Sequence, residues 1–275
     1  MHVPVQAIHR KSWRDGGASE GARLIPEETP LALTYNGGTY AVMMATPQNL
    51  EDFAVGFSLA EGIVGSVDDI RSLEVVRLDD GIELRMWLAS DDAARIGERR
   101  RHVAGPTGCG ICGIESIAEA VRPAAVVPHG QTFTPEQIMA AMQAIAPLQS
   151  INLQTRAVHA AAFWSPAGHI VALREDIGRH NALDKLAGAL ARSRADTHGG
   201  MVLLTSRVSI EMVQKAAAIG APVMVAVSAP TALAVRTAQA AGITLIAIAR
   251  QDGFEIFTHG GRIAARHATE AADVA

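Results

Sequence analysis

The sequence predicts an α/β protein: a small α+β unit followed by a C-terminal domain of three layers built on a mixed sheet. The C-terminal part carries the strongest signal. Apolar runs at 201–205, 223–227 and 243–249 alternate with helix-patterned stretches at 210–219 and 231–241. Strands this apolar are buried on both faces, which demands parallel strands with right-handed helical crossovers. Gly220 and Gly242 stand just past the two helices, where a left-handed residue closes the last turn. In the N-terminal part, Asn36-Gly37-Gly38 and Asp79-Asp80-Gly81 each separate two β-prone runs, which is a hairpin signal.

Taken in order, residues 1–27 are polar and Gly-rich and read as a mobile tail, with order beginning near Leu31. A small α+β domain follows at 28–104. Runs 31–35 and 39–44 form its first hairpin, and Thr46-Pro47 reads as the N-cap and first position of a helix burying Leu50, Phe53, Ala54 and Phe57. Runs 73–78 and 82–88 form a second hairpin. A Gly-rich cysteine loop and linker occupies 105–132, and the α/β domain occupies 133–275. Thr134-Pro135-Glu136-Gln137 is a capping box for a helix burying Ile138, Met142 and Ile145. Runs 158–164 and 169–174 pair over Ser165-Pro166-Ala167-Gly168, a helix covers about 178–191, and a last strand covers 254–258.

Composition bounds the function. The chain has 275 residues, 49% of them hydrophobic and 19% charged, enough for a large core and too apolar for disorder. A net charge of −4 argues against a nucleic-acid coat, whose phosphate binding calls for a basic balance. The first residues have no apolar run after their basic ones, and no stretch of 18 apolar residues occurs, so neither signal peptide nor membrane span is expected. A cytoplasmic protein is the expectation. Two cysteines cannot build a disulfide scaffold, and both lie in Gly108-Cys109-Gly110-Ile111-Cys112-Gly113.

That spacing fits three chemistries: zinc ligation, dithiol redox and carriage of sulfane sulfur. The thiolate is the reactive form, nearby cations or amides raise its fraction, and flanking glycines leave the sulfurs open. A second thiol three positions on can resolve a persulfide or mixed disulfide. A zinc deaminase would place His-x-Glu before Pro-Cys-x-x-Cys; here His159-Ala160-Ala161 follows the cysteines and lacks the carboxylate. The run Arg95, Arg99, Arg100, Arg101, His102 is either a solvated helix end or a positive field beside the sulfur loop. In a parallel sheet, Thr205-Ser206-Arg207, Ser228 and the turn from Arg250 fall on one edge beside helix N-termini, which suits a phosphorylated ligand. Within 174–185, the densest polar segment, Asp176 is a capping candidate. His180 and Asp184, one turn apart, are members of a capping and ion-pair network, a metal-binding pair or an acid–base dyad.

The motifs Gly-Cys-Gly-Ile-Cys-Gly, His159-Ala-Ala-Ala, Arg174-Glu-Asp-Ile-Gly-Arg-His-Asn-Ala-Leu-Asp-Lys185, Leu204-Thr-Ser-Arg207 and Val227-Ser-Ala-Pro-Thr231 resemble the formate dehydrogenase accessory sulfurtransferase family, FdhD. The resemblance runs from about residue 30 to 263. It implies a cytoplasmic homodimer that takes sulfur from a cysteine desulfurase and delivers it to the bis-molybdopterin guanine dinucleotide of formate dehydrogenase, with no permanently bound metal. It also implies a C-terminal domain similar to cytidine deaminases. By the same resemblance Cys109 is the persulfide carrier, Cys112 its partner, and Ile248, Ala249, Arg250, Gln251, Asp252 and Gly253 form a loop that holds the cofactor. Thr205, Ser206, Arg207 and Ser228 join the binding set from the strand-end argument alone. Two rival readings are a cofactor chaperone that carries no sulfur and a zinc-dependent nucleotide deaminase.

Overall fold

The computed structural model describes residues 2–89, 121–128 and 130–264. Its first element corrects the expectation of a tail. β1 (Val5–Arg14) and β2 (Gly17–Pro26) pair antiparallel along their whole length. The turn between them is Asp15-Gly16, with φ of 52° and 74°. Two consecutive positive φ values are what a two-residue hairpin turn requires, and Asp-Gly meets that requirement at low cost. Polar composition concealed this ribbon because neither of its faces is buried.

β3 (Thr29–Tyr35), β4 (Gly38–Ala45), β5 (Ile70–Arg77) and β6 (Ile82–Leu88) form a four-stranded sheet in the order β4-β3-β6-β5. The two predicted hairpins are its halves, joined through the parallel pair β3–β6. One face buries Leu31, Leu33, Tyr35, Ile82, Leu84 and Met86 against α1 (Leu50–Ala60), which contributes Leu50, Phe53, Ala54 and Phe57 as expected. The start of that helix differs from expectation. Asn49, in the left-handed region, is its N-cap, and Thr46 lies outside it. The Thr46 hydroxyl instead accepts from the Ile177 amide at 3.1 Å, while its own amide donates to Asp176 at 3.0 Å.

The second sheet has six strands in the order β12-β11-β10-β9-β7-β8. They are β7 (His159–Trp164), β8 (Ile170–Asp176), β9 (Met201–Leu204), β10 (Val223–Ala226), β11 (Thr244–Arg250) and β12 (Gly253–Ile256). β9, β10 and β11 run parallel, whereas β7, β8 and β12 pair antiparallel, giving the expected mixed sheet. Alternate residues feed opposite cores. Phe163, Val202, Leu204, Met224 and Leu245 face α4 (Arg179–Arg192), α5 (Ile210–Ile219) and α6 (Ala232–Ala241). Ala162, Trp164, Leu203, Val225 and Ile246 face α2 (Pro135–Ile145), so the domain has three layers. α2 starts on the predicted capping box: the Gln137 amide donates to Thr134 Oγ1, and the Thr134 amide donates to Gln137 Oε1. Its buried face is Ile138, Ala141 and Ile145, with Met142 only partly covered. Gly220 and Gly242 end α5 and α6 with φ of 81° and 73°. Sequence reading missed α3 (Ser150–Thr155), whose first amides donate to the buried Glu175 carboxylate at 2.8–2.9 Å.

α4 lies between the two sheets. Its apolar face packs on the six-stranded sheet, and its other face meets α1, so residues 180–190 are all buried. The polar groups on that second face are consequently paired. Lys185 Nζ donates to Asp176 at 2.6 Å and to the Thr46 carbonyl at 2.8 Å, and the Asn181 amide donates to Asp176 and to the Met44 carbonyl. Lys215 binds Asp184 at 2.7 Å and Glu61 at 3.5 Å. Asp52 on α1 takes both Arg174, at 2.7 Å, and Arg192. Burial in such a seam is tolerated only when each charge is matched, and here each is.

Candidate functional site

The parallel strands β9, β10 and β11 end along one edge of the six-stranded sheet. β7 runs the other way, with Ala161 opposite Leu204, so its first residue, His159, starts at that same edge. β8 ends there too, with Asp176 opposite His159, and the chain turns directly into α4 through Gly178. The N-termini of α4, α5 and α6 therefore converge on the edge. Amides at a helix N-terminus and the macrodipole favour anions.

Side chains at this edge add positive charge. Arg179 is the first residue of α4, and its buried Nε has no hydrogen-bond partner. Arg207 is exposed just past β9. Both guanidinium groups act on His159. Its half-burial first, and then these two cations, push its pKa below 6.5, although Asp176 pulls the other way. Neutral His159 is therefore the form the folded protein favours. The sign follows directly: protonation costs the folded state, so stability from this group falls as pH drops through 6.5 toward the lowered value. An imidazole NMR titration should give His159 a midpoint below 6.5, and Arg207→Gln should raise it. A midpoint at or above 6.5 would contradict the placement of the two arginines.

His180 and Asp184 do not pair. His180 Nε2 lies 3.5 Å from the Ser209 hydroxyl and 3.7 Å from Glu211, while Asp184 belongs to Lys215. The Ser209 hydroxyl donates to Glu211 at 2.6 Å. Burial opposes ionisation of Glu211, but hydrogen bonds from His180, Ser209 and its own backbone outweigh it and hold the carboxyl down at about 2. Asp176 caps no helix with its side chain, since Gly178 is the N-cap. It receives the Gly178 amide at 2.8 Å and so fixes the turn that carries Arg179 and His180 to the edge.

The other predicted residues divide into groups. The Thr205 hydroxyl is engaged with the β7 backbone, accepting from the Ala160 amide at 2.8 Å. Ser206 is buried, and its hydroxyl donates to the Arg207 carbonyl. The Ser228 carbonyl accepts from the Ile248 amide, which ties the end of β10 to β11. Ile248 has φ of 53° inside an irregularity between Ala247 and Arg250. A β-branched residue in that region is a backbone outlier, and it re-aims the strand end at the edge. Ala249 is buried in the core, Arg250, Gln251 and Asp252 stand exposed at the β11–β12 turn, and Gly253 has φ of 144°. The structure thus gathers Thr205, Ser206, Arg207, Ser228 and Ile248 with His159, Arg179 and His180. Sequence reading had placed Arg179 only in the polar run. Its position becomes apparent once β7 and β8 are known to pair beside β9. Cys109, Cys112 and the 95–102 run lie outside the described residues.

Fold and site together define an α/β protein of a ribbon and two larger sheets, with Arg179, Arg207 and three helix N-termini on one strand-end edge, an arrangement suited to an anionic ligand. The sequence profile of the FdhD/NarQ family matches residues 26–264, and the chain belongs to that family. A sulfur carrier protein FdhD of Agrobacterium fabrum is 49% identical over 274 residues, covering 95% of this chain and 98% of the relative. One of Brucella abortus is 51% identical over 257 residues, with 93% and 96% coverage. The crystal structure of a protein from Desulfotalea psychrophila, described there as a formate dehydrogenase accessory protein, superposes with a TM-score of 0.74. It is 26% identical and the match covers 94% of this chain and 99% of that one. No helix among the described residues is long and apolar enough to cross a membrane.

Proposed function

We propose that this chain is a sulfur carrier serving formate dehydrogenase, loading sulfur on Cys109 and delivering it to an anionic cofactor held at the strand-end edge. The observation that carries the reading is the strand-end edge itself, in a chain of this family: Arg179 with its unpartnered buried Nε, Arg207, and three helix N-termini. An anionic dinucleotide is the ligand such an edge favours. The cargo is bis-molybdopterin guanine dinucleotide, whose phosphates meet the cationic groups. The Ile248–Ser228 junction and the turn through Asp252 and Gly253 border it. The donor is a cysteine desulfurase, the setting is the cytoplasm, the working form is a homodimer, and no metal is permanently bound. A six-stranded mixed sheet with helices on both faces supports the reading of a deaminase-like domain turned to binding.

The transfer balances without an external oxidant. The Cys109 thiolate attacks the terminal sulfur of the donor's persulfide; that S–S bond breaks, the donor cysteine leaves as thiolate, and Cys109–S–S⁻ forms. For release, the Cys112 thiolate attacks the Cys109 sulfur, a Cys109–Cys112 disulfide forms, and the terminal sulfur leaves as sulfide, reduced by the electrons of the new disulfide's thiols. Two equivalents of a cellular thiol then reduce this disulfide to the dithiol by exchange and leave as their own disulfide.

Incubation with desulfurase and cysteine, followed by mass spectrometry, should show one added sulfur on the wild-type chain and none on Cys109→Ala. Full loading of Cys109→Ala would overturn the assignment. Restoration of formate dehydrogenase by a variant lacking both cysteines would favour a chaperone without sulfur carriage.

A further inference from the structure

The β1–β2 ribbon has no part in the functional reading, and it precedes almost all of the family match, which begins at residue 26. Ten residues per strand make it roughly 34 Å long. It rests on its own chain near its root, where β2 meets α3 and Arg23 donates to the Thr155 carbonyl. Beyond that root it is exposed on both faces. Ile8 and Ile25 lie on one face and Trp13 and Leu24 on the other, with Trp13 at 74% exposure beside the turn. An isolated two-stranded hairpin is marginal in water, and a ribbon with apolar groups on both faces acquires stability by being gripped.

Charge identifies what grips it. The ribbon holds Arg10, Lys11, Arg14 and Arg23 against Asp15 and Glu20, a net +2, which leaves the rest of the −4 chain at −6. Its one internal ion pair is the exposed Lys11–Glu20 contact at 3.9 Å, and Arg10 and Arg14 have no acidic partner among the described residues. A basic arm on an acidic body complements a second copy of the same molecule. A two-fold axis would use the contact twice, so each arm has to supply only part of the roughly 800 Å² per partner that a standard interface buries.

We infer that the β1–β2 ribbon is a dimerisation arm, reaching from one copy onto the acidic body of the other, with Trp13 as its apolar anchor and Arg10, Lys11 and Arg14 as its charge contacts. The inference rests on the homodimer reading above. Sedimentation velocity of the full chain at micromolar concentration tests it. Wild type should sediment as a dimer that weakens at raised salt. The triple variant R10E/K11E/R14E and the single variant Trp13→Ser should each weaken dimerisation at least tenfold, with unchanged far-UV circular dichroism and unchanged persulfide loading at Cys109. Wild type that sediments as a monomer overturns both this inference and the homodimer reading. Variants that dimerise as wild type does overturn the arm alone. Nucleic acid co-purifying with wild type and lost from the triple variant would assign the ribbon to that partner and also overturn it.

Discussion

Replacing Asp176 by Asn should destabilise the protein by roughly 3–5 kcal/mol, the cost of breaking a buried ion pair from one side. At roughly 2–4 °C per kcal/mol for a chain of this size, that is a fall of about 6–20 °C in melting temperature. Asp176 and Lys185 both have side chains at 0% exposure. The carboxylate takes four donors: the Thr46 amide and Lys185 on one oxygen, the Gly178 amide and Asn181 on the other. An asparagine keeps one acceptor oxygen but turns an NH2 toward two of those donors. Burial already pushes the Lys185 ammonium below its usual pKa, with Asp176 opposing, so removing the carboxylate strands a cation in the core. Lys185→Met should cost less, because three neutral donors still satisfy the carboxylate. The double variant D176N/K185M should be more stable than D176N alone, since no cation remains. Chemical denaturation of the four proteins checks this. If the double variant merely sums the two losses, Asp176 and Lys185 do not act as a pair.

That seam also explains which parts of the molecule were legible in the sequence. Elements set by local chemistry were readable: Asn36-Gly37 in its hairpin turn, Thr134 with Gln137 at the head of α2, and Gly220 and Gly242 at helix ends. Their signals lie within a few residues of each other. The role of Thr46 is not legible locally, because its partners, Asp176, Ile177 and Lys185, are about 130 residues away, and Ser/Thr before Pro looks the same whether it caps a helix or ties two sheets. The ribbon is hidden for the opposite reason. Asp15-Gly16 was a local hairpin signal, but exposed strands carry no apolar alternation to support it.

The site divides in the same way. Thr205, Ser206, Arg207 and Ser228 were found from a rule about strand ends, which needs only the order of strands and helices in the last third. Arg179, His180 and the Ser209–Glu211 pair depended on β7 pairing with β9 rather than with its sequence neighbours alone. Strand order is a long-range property, and the run 174–185 reads as a capping and ion-pair cluster until that order is known. Most of its charges are structural, with Asp176, Asp184 and Lys185 joining the two sheets. Arg179 and His180 alone turn toward the strand-end edge.

A methyl group at the crossing of α1 and α4 should be nearly as damaging as the broken ion pair. A Cβ on Gly188 would overlap the Asp52 carbonyl, and one on Gly56 would overlap the Asp184 carbonyl. Both obstacles are helix backbone, which cannot rotate aside as a side chain would. The helices must separate, and separation stretches the pair that bridges them, Asp52 with Arg192. Overpacking a core costs typically 1–3 kcal/mol, and a backbone clash belongs at the upper end. Alanine's better helix propensity returns up to about 1 kcal/mol, too little to reverse the sign. Gly188→Ala should therefore lower the melting temperature by about 4–10 °C. Gly261→Ala is the control, because a Cβ there meets nothing within 4 Å and the residue lies outside both helices and the ribbon. Since α4 also carries Arg179, Gly188→Ala should shift the His159 titration midpoint as well, which a purely local packing defect nine residues from the N-terminal end of α4 would leave unmoved. Wild-type stability in Gly188→Ala would mean that the two helices do not approach as closely as their glycines allow.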